Sequence, residues 1–346
     1  MATNSSAAQW GQVDNILSDG LDARLFPGSS LYVGDLDNVI YEKSVGDSNS
    51  SRIYDIASLT KIVATTISIM ILEEKGDISL SDKVKKYFPE FSSDEKDKVT
   101  LEDLMRHRAG LPSGASPLQN ESLDLYLKRI TSAPLNYTPK SKTVYSDLSF
   151  ILLGRIVEIV SGKKLSEFSE EHIYVPLKMK NTSYGVSLNG QNQCAPTSPG
   201  YECVVHDPTA NHFLPATLGN AGVFSSLEDL ALFGRMILSK GELNGVRILS
   251  EETFSKMILA IGPRGLGWDF TSEYSLSPRG EVFPEGISFG HTGYTGTTIW
   301  LDPKSKTYYV FLSNRVYMGD ERTKKLFSEF RKKLSTAIGK IIYSSY

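Results

Sequence analysis

The stretch ASLTKIVATTISIMILEEKG, residues 57–76, contains the longest apolar run of the chain, between residues 62 and 72. It predicts a helix over 59–74 that ends at Gly76, because glycine suits the C-terminus of a helix. Apolar residues on nearly every face are typical of a helix buried at the centre of a fold. The run is about half as long as a bilayer requires, so no membrane span is predicted.

Ser58 and Lys61 stand three residues apart at the start of this helix, so their side chains share one helix face. The free N–H groups and the positive dipole end at a helix N-terminus stabilise negative charge on a serine oxygen and on a substrate oxyanion. A desolvated lysine with a second cation nearby has a lowered pKa and can act as a base. The pair therefore predicts a nucleophile, Ser58, that is activated by Lys61.

Ser-x-x-Lys is a weak motif by itself, since the chain also contains Ser93 with Lys96 and Ser161 with Lys164. Those two matches lie in a charged run and in a turn between predicted helices, so only the first opens a buried helix. An isolated match more often marks an N-capping serine and a surface lysine. The assignment therefore needs support from the rest of the sequence.

Strand-like runs occur at both ends of the chain, and helical patterns lie between them. The predicted strands are 30–33, 39–42, 287–290, 297–301 and 307–312. The predicted helices, besides 59–74, are 9–25, 101–107, 121–130, 146–160, 164–173, 226–238, 251–259 and 321–338. Because a single short hairpin is barely stable alone, the two end segments are expected to pair in one sheet.

The predicted fold class is α/β (α+β), with an antiparallel sheet built from the N- and C-terminal segments and flanked by helices. Residues 1–76 and 256–346 would form the sheet domain. Residues 77–255 would form an inserted, mainly helical domain, and the active site is expected between the two.

Two further elements could contribute chemistry. Tyr145-Ser146-Asp147 opens the predicted helix 146–160, and a tyrosine of lowered pKa there could share a proton with Lys61 and Ser58. Gly290-His291-Thr292-Gly293 follows the predicted strand 287–290, where glycines let a substrate approach the backbone and later N–H groups could complete an oxyanion hole. Taken singly, each also fits a structural reading, as a core tyrosine before an N-cap and as a turn histidine at a strand end.

Taken in order, the three elements resemble the motifs of the serine β-lactamase and penicillin-binding protein superfamily. The resemblance is to its class C-like branch, which includes the family VIII carboxylesterases. Ser58-Leu59-Thr60-Lys61 is similar to the first motif, Tyr145-Ser146-Asp147 to Tyr-x-Asn, and His291-Thr292-Gly293 to Lys-Thr-Gly in its His-Thr-Gly form. The resemblance covers about residues 25–314, and secondary matches occur at 100–107, 110–112, 206–210, 222–226 and 265–268.

The resemblance implies a β-lactamase/transpeptidase-like fold and an acyl-enzyme on Ser58, with Lys61 and Tyr145 as general base and acid. The oxyanion hole would consist of the backbone N–H groups of Ser58 and Tyr294. No metal or cofactor is implied. The resemblance also implies that His291 is catalytic. Substrate-binding or oxyanion roles are implied for Asp147, Thr292, Gly293 and Tyr294.

Two positions depart from the family's pattern. Asp147 replaces the usual Asn, which removes an amide donor and adds a carboxylate, and His291 replaces Lys, which removes a permanent cation. Penicillins and peptidoglycan peptides are recognised largely through a carboxylate, so small carboxylic esters or amides are the expected substrates. A D,D-peptidase, another penicillin-binding protein or a β-lactamase is the alternative. A non-catalytic binding protein with the same fold is the alternative from another class.

The 37 basic and 40 acidic side chains give a formal net charge of −3, which indicates neither nucleic acid nor a membrane surface as a partner. The expected partner is a small-molecule ester, amide or β-lactam-like substrate, and the oligomeric state stays open. The spacing of Cys194 and Cys203 permits a disulfide in an exported protein, whereas in a cytosolic protein they would be two thiols, so the pairing stays open. The chain would be cytoplasmic if Met1 is native, and periplasmic or secreted if a signal peptide was trimmed. His206-Asp207 with His212 could be drawn as a metal site, but a structural loop is favoured.

Overall fold

The structure, a computed structural model, describes residues 3–185, 194–200, 202–319 and 321–344. Its strands are β1 (Gly28–Gly34), β2 (Val39–Gly46), β3 (Tyr54–Asp55), β4 (Ser183–Tyr184), β5 (Val223–Ser225), β6 (Glu242–Leu243), β7 (Val246–Arg247), β8 (Phe289–Gly293), β9 (Thr297–Asp302) and β10 (Thr307–Ser313). Its helices are α1 (Thr3–Asp22), α2 (Ile67–Lys75), α3 (Leu101–Met105), α4 (Leu123–Ser132), α5 (Asp147–Ser161), α6 (Leu165–Ser169), α7 (Val175–Leu177), α8 (Pro208–His212), α9 (Leu227–Leu238), α10 (Glu251–Ile258), α11 (Leu276–Arg279) and α12 (Glu321–Ser344).

The main sheet joins the two ends of the chain, as predicted. Its five strands are antiparallel, in the order β2-β1-β10-β9-β8. The N-terminal hairpin meets the C-terminal strands where β1 pairs with β10, with Leu31 opposite Phe311. A smaller sheet, β3-β5-β4, lies close to the start of the central helix. The predicted antiparallel sheet flanked by helices is therefore confirmed.

Hydrophobic side chains of the main sheet enter two separate clusters, because successive residues of a strand point to opposite faces. Leu31 and Phe311 enter one cluster with residues of α1 and α12. Tyr32 and Val310 enter the other, which contains the central helix and most of the helices between the strands. This second cluster includes residues of both predicted domains, and the division into 1–76 with 256–346 and 77–255 stays a prediction.

The central helix lies where the sequence predicts it but is not one regular α-helix. A 3₁₀ turn at Ala57–Leu59 is followed by a π-helix at Lys61–Thr66, and only then by α2. Every residue of the π-helix is buried, and α2 ends at Gly76, which has a φ of 79°. Short π-helical segments occur frequently at functional sites, and this one begins at Lys61.

Several predicted boundaries are wrong in detail. The strand predicted at 287–290 begins at Phe289 and continues through Gly293, so His291 lies within a strand rather than after one. The helix predicted at 164–173 is interrupted, with α6 followed by a π-helical turn at Glu170–Tyr174. The wider hydrogen-bonded ring of a π-helix is not visible in a hydrophobic pattern. Cys194 and Cys203 form a disulfide, with their Cα atoms 5.2 Å apart.

No helix in the described part of the chain is both long and apolar enough to cross a membrane.

Candidate active site

Ser58 lies in a turn that a buried carboxylate holds in place. The preceding residue, Ala57, has a φ of 46°, in the left-handed region that non-glycine residues rarely adopt. Asp55 accepts the Ala57 N–H at 2.8 Å through Oδ1 and the His206 N–H at 2.7 Å through Oδ2. Burial raises the pKa of Asp55 to about 6, and the two N–H donors oppose that rise. The carboxylate thus fixes the strained turn that presents Ser58.

Lys61 is fully buried beside Ser58, and its ammonium contacts three oxygens. Nζ lies 3.1 Å from Ser58 Oγ, 2.9 Å from the Asn220 carbonyl oxygen and 2.6 Å from Asp147 Oδ1. Burial alone would lower the pKa of Lys61, but the charge of Asp147 and the Tyr145 hydroxyl outweigh it and raise the pKa. The expectation of a lysine with a lowered pKa is therefore wrong for this resting arrangement, because sequence reasoning did not place Asp147 beside Lys61.

Tyr145 stands between Lys61 and the open side of the site. Lys61 Nζ lies 5.0 Å from the centre of the Tyr145 ring, and Arg264 Cζ lies 5.3 Å from it. Burial raises the pKa of Tyr145, and the opposing effects of Lys61 and of hydrogen bonds to Lys61 and Ser58 do not reverse that rise. The phenol therefore carries its proton at neutral pH, contrary to the lowered pKa expected from the sequence.

His107 contacts the backbone on both sides of Tyr145. No functional role was predicted for this residue from the sequence. Its carbonyl oxygen accepts the Val144 N–H at 2.9 Å, and its Nδ1 accepts the Ser146 N–H at 3.0 Å. Its ring centre lies 4.6 Å from that of Tyr145. Burial, together with the charges of Arg264 and Lys61, holds the pKa of His107 well below its usual range, so the ring is neutral. The only sequence signal was its place in the recognised stretch 100–107.

β8 forms the wall opposite Tyr145. A Cβ atom at Gly293 would lie 2.5 Å from the Ile56 carbonyl oxygen, so only glycine lets the strand pass this close to the Ser58 turn. His291 is buried, with Nδ1 2.9 Å from the Thr292 carbonyl oxygen, which places the ring proton on Nδ1. Burial and the charges of Arg264 and Lys61 hold the pKa of His291 well below its usual range. This position therefore supplies a neutral ring.

A cavity of about 440 Å³ opens in front of Ser58. Six of the eight predicted site residues line it, namely Ser58, Tyr145, His291, Thr292, Gly293 and Tyr294. Lys61 and Asp147 lie outside its lining as an ion pair, with about a third of the Asp147 side chain exposed. Asp147 is therefore the ion-pair partner of Lys61. From the sequence, it was expected to line the site and orient the substrate.

The rest of the cavity lining includes residues that were not predicted from the sequence. They include Arg264, Tyr274, Arg315, Lys324, Phe327 and Arg331, the last three from α12. Arg264 directly precedes the recognised stretch 265–268, which was its only signal in the sequence.

The residues considered for a metal site are placed apart. Asp207 accepts the Ala210 N–H and caps α8, His206 stacks on Tyr294, and His212 lies at an exposed position near the Glu121 carbonyl. Within the described ranges, no group of three or more His, Cys, Asp and Glu side chains is placed to hold a metal ion.

Comparison with known proteins places this site in a family. The sequence model described as Beta-lactamase matches residues 13–329. The chain belongs to the β-lactamase family. The β-lactamase family contains serine hydrolases, and the predicted resemblance is confirmed.

Three proteins that are similar to this chain carry different printed names. A protein of Salmonella schwarzengrund (strain CVM19633), named "Putative D-alanyl-D-alanine carboxypeptidase", is 31% identical over 77% of this chain and 70% of that protein. A penicillin-binding protein homologue from Caulobacter crescentus superposes with a TM-score of 0.75 at 18% identity, over 98% of each chain. A family VIII carboxylesterase superposes with a TM-score of 0.70 at 18% identity, over 96% of this chain and 97% of that one. The two structures establish the shared fold.

Proposed function

We propose that this β-lactamase family member hydrolyses small carboxylic esters or amides through an acyl-enzyme on Ser58. The observation that carries the proposal is the fully buried Lys61, whose Nζ lies 3.1 Å from Ser58 Oγ at the floor of the cavity. A nucleophilic hydroxyl requires a base within hydrogen-bond reach, and this contact provides one.

Acylation begins once Lys61 has lost a proton, because the charged ammonium donates to Ser58 Oγ and cannot accept from it. Neutral Lys61 then takes the hydroxyl proton while Oγ bonds to the substrate carbonyl carbon. The backbone N–H groups of Ser58 and Tyr294 stabilise the oxyanion. The bond to the leaving group breaks as Tyr145 gives its proton to the departing oxygen or nitrogen, and Lys61 returns a proton to Tyr145.

Deacylation repeats these steps with water. Neutral Lys61 takes one proton from the water molecule as its oxygen bonds to the acyl carbon, and it later passes that proton to Ser58 Oγ. The bond to Ser58 Oγ breaks, and the serine recovers its proton. In His291, Nδ1 is engaged by the Thr292 carbonyl, and the buried Nε2 has no partner among the described residues, which leaves it as an acceptor for a substrate N–H or O–H group that reaches this wall of the cavity.

A D,D-peptidase or a β-lactamase is the second candidate, favoured by the printed name of the Salmonella relative and by the penicillin-binding protein homologue. Such an enzyme would use the same Ser58 acyl-enzyme. It would differ in acylating with penicillin or with a D-alanyl peptide more readily than with a simple ester.

Mass spectrometry of the intact protein, followed by peptide mapping of the adduct, tests the proposal. After mixing with 4-nitrophenyl butyrate, we expect a burst of nitrophenolate and a transient butyryl adduct on the Ser58 peptide. Ser58→Ala should lose both, whereas Ser93→Ala, the serine of another Ser-x-x-Lys match, should retain them. No adduct in the wild type, or an unchanged burst in Ser58→Ala, would overturn the proposal. A long-lived adduct with penicillin alone would favour the second candidate.

A further inference from the structure

Arg264 is a buried cation whose donors are largely unused. Its residue surface is 1% exposed, yet it lines the cavity in front of Ser58. Nη2 lies 3.3 Å from Ser272 Oγ and 3.6 Å from Asp269 Oδ2. Nε and Nη1 are buried and have no hydrogen-bond partner among the described residues. Three of the five N–H donors of the guanidinium are therefore unpaired.

The protein around Arg264 offers little to satisfy those donors. Asp269 is occupied by the Ser272 hydroxyl at 2.7 Å and the Ser272 N–H at 3.2 Å. The other nearby carboxylate, Asp147, is paired with Lys61 at 2.6 Å. A buried charged group with unpaired donors is destabilising, and an anion from outside would relieve that cost.

The position of Arg264 suits a part of the substrate close to the reacting bond. Its guanidinium lies over the face of Tyr145, which contacts Lys61 on the same ring. The neighbouring backbone continues the main sheet, because Asp269 exchanges hydrogen bonds with Gly290 beside β8. Arg264 and His291 are therefore held by adjacent segments in the wall of one cavity.

The cavity as a whole, Arg264 included, is electropositive. Its lining contains five Lys and Arg side chains against three Asp and Glu side chains. Arg331 is half-buried in this wall, and its buried Nε has no partner among the described residues. The negative charge of Asp147, which argued against anionic substrates, is offset by Lys61. Because His291 is neutral, the cation of the cavity lining that contacts Tyr145 is Arg264, with Cζ 5.3 Å from the ring centre.

We propose that Arg264 binds a carboxylate of the substrate and makes this enzyme selective for anionic esters or amides. The inference rests on the proposed acyl-enzyme at Ser58. It revises the expectation that replacing the family's Lys with His291 excludes carboxylate-bearing substrates, because the cation is supplied from a different segment. A guanidinium is well suited to this role, since its charge is permanent and its planar donors match a carboxylate.

Two matched pairs of esters test the proposal on the wild-type protein. One pair carries the charge on the acyl side, mono-4-nitrophenyl glutarate against 4-nitrophenyl butyrate. The other carries it on the leaving group, 3-carboxyphenyl butyrate against phenyl butyrate. We expect kcat/KM to favour the carboxylate by about 10- to 100-fold in at least one pair, the range of a charge-assisted hydrogen bond. Equal values in both pairs would overturn the proposal.

Substitutions then locate the preference. Arg264→Gln should reduce the charged-to-neutral ratio of kcat/KM by about 10-fold or more, and Arg264→Lys should retain part of it. Arg235→Gln, on α9 outside the cavity, should leave the ratio unchanged. If Arg264→Gln lowers both esters equally, Arg264 serves only to position Tyr145 and the proposal is wrong. If no ester of either kind labels Ser58, the proposed function itself has failed, which is a different result.

Discussion

Asp147→Asn removes the carboxylate that keeps Lys61, the proposed base of Ser58, in its charged form. Asp147 Oδ1 lies 2.6 Å from Lys61 Nζ, and two unit charges at that distance attract by about 6 kcal/mol at an effective dielectric constant of about 20. Because a third of the Asp147 side chain is exposed, solvent screens part of this energy. We take about 2–3 kcal/mol, between the values typical of exposed and of buried pairs.

Loss of that energy favours the neutral lysine. At a given pH below the pKa of Lys61, the fraction of neutral Lys61 should rise by about 30- to 160-fold, since 1.36 kcal/mol corresponds to a factor of ten. If neutral Lys61 is the base, acylation at pH 7 should accelerate, and the limb of the pH–rate profile that rises with pH should move to lower pH. The substitution also restores the asparagine of the family's usual motif.

The assay is the single-turnover acylation rate with 4-nitrophenyl butyrate between pH 5 and 10. Asp124→Asn, at an exposed position in the first turn of α4, is the matched control and should leave the limb in place. A second readout is thermal stability. Asp147→Asn leaves Lys61 buried without a counter-ion, so its destabilisation should shrink as the pH rises and Lys61 loses its proton. A limb at the same pH in wild type and Asp147→Asn would refute Lys61 as the base.

Three further perturbations test the supports of the site. His107→Ala removes the acceptor of the Ser146 N–H and should lower kcat by about 10- to 100-fold. His107→Asn should recover part of the lost kcat, because asparagine tolerates the φ of 56° and keeps an acceptor. Equal rates in the two variants would contradict the role of His107 in positioning the Tyr145 segment. Activity should fall as the pH falls through about 6, because a protonated Asp55 carboxyl accepts the two N–H groups less strongly than the carboxylate does. Since the pKa of Asp55 is raised in the folded state, its protonation does not weaken folding, and circular dichroism should show no unfolding there. Asp55→Asn should abolish this acidic limb of the pH–rate profile, and an unchanged limb in that variant would contradict the assignment. Gly293→Ala should slow acylation about 100-fold by displacing β8 from the Ser58 turn. Gly11→Ala is the control and should leave the acylation rate unchanged, because a Cβ there meets no atom within 4 Å. A normal burst in Gly293→Ala would show that the strand can shift without loss of acylation.

The sequence is sufficient for the sheet and the central helix because both depend on hydrophobic patterning and chain order. β9 and β10 begin at the residues predicted, and the apolar run after Ser58 is buried throughout. The three motifs also meet in space, with Ser58, Tyr145 and His291 around one cavity. Family resemblance supplied that part of the prediction, since the spacing of Ser58 and Lys61 alone was weak.

The protonation states and the cavity walls could not be predicted in this way. Whether Lys61 has a lowered or a raised pKa depends on the position of one oxygen of Asp147, 86 residues away in the chain. His107 and Arg264 act through contacts formed only after folding, with the backbone of Ser146 and with the ring of Tyr145. Neither interaction produces a periodic or a local signal in the sequence.

The contribution of α12 to the cavity has an evolutionary consequence. Lys324, Phe327, Ser328 and Arg331 recur at helical spacing and present one face of this helix to the substrate space. The groups assigned to bond cleavage lie on other segments, so this face can change without altering the acylation apparatus. Gene duplicates could therefore acquire new substrate ranges through substitutions in α12 alone. A library randomised at Lys324, Ser328 and Arg331 would sample such substrate ranges while Ser58, Lys61, Tyr145 and the core residue Phe327 stay fixed.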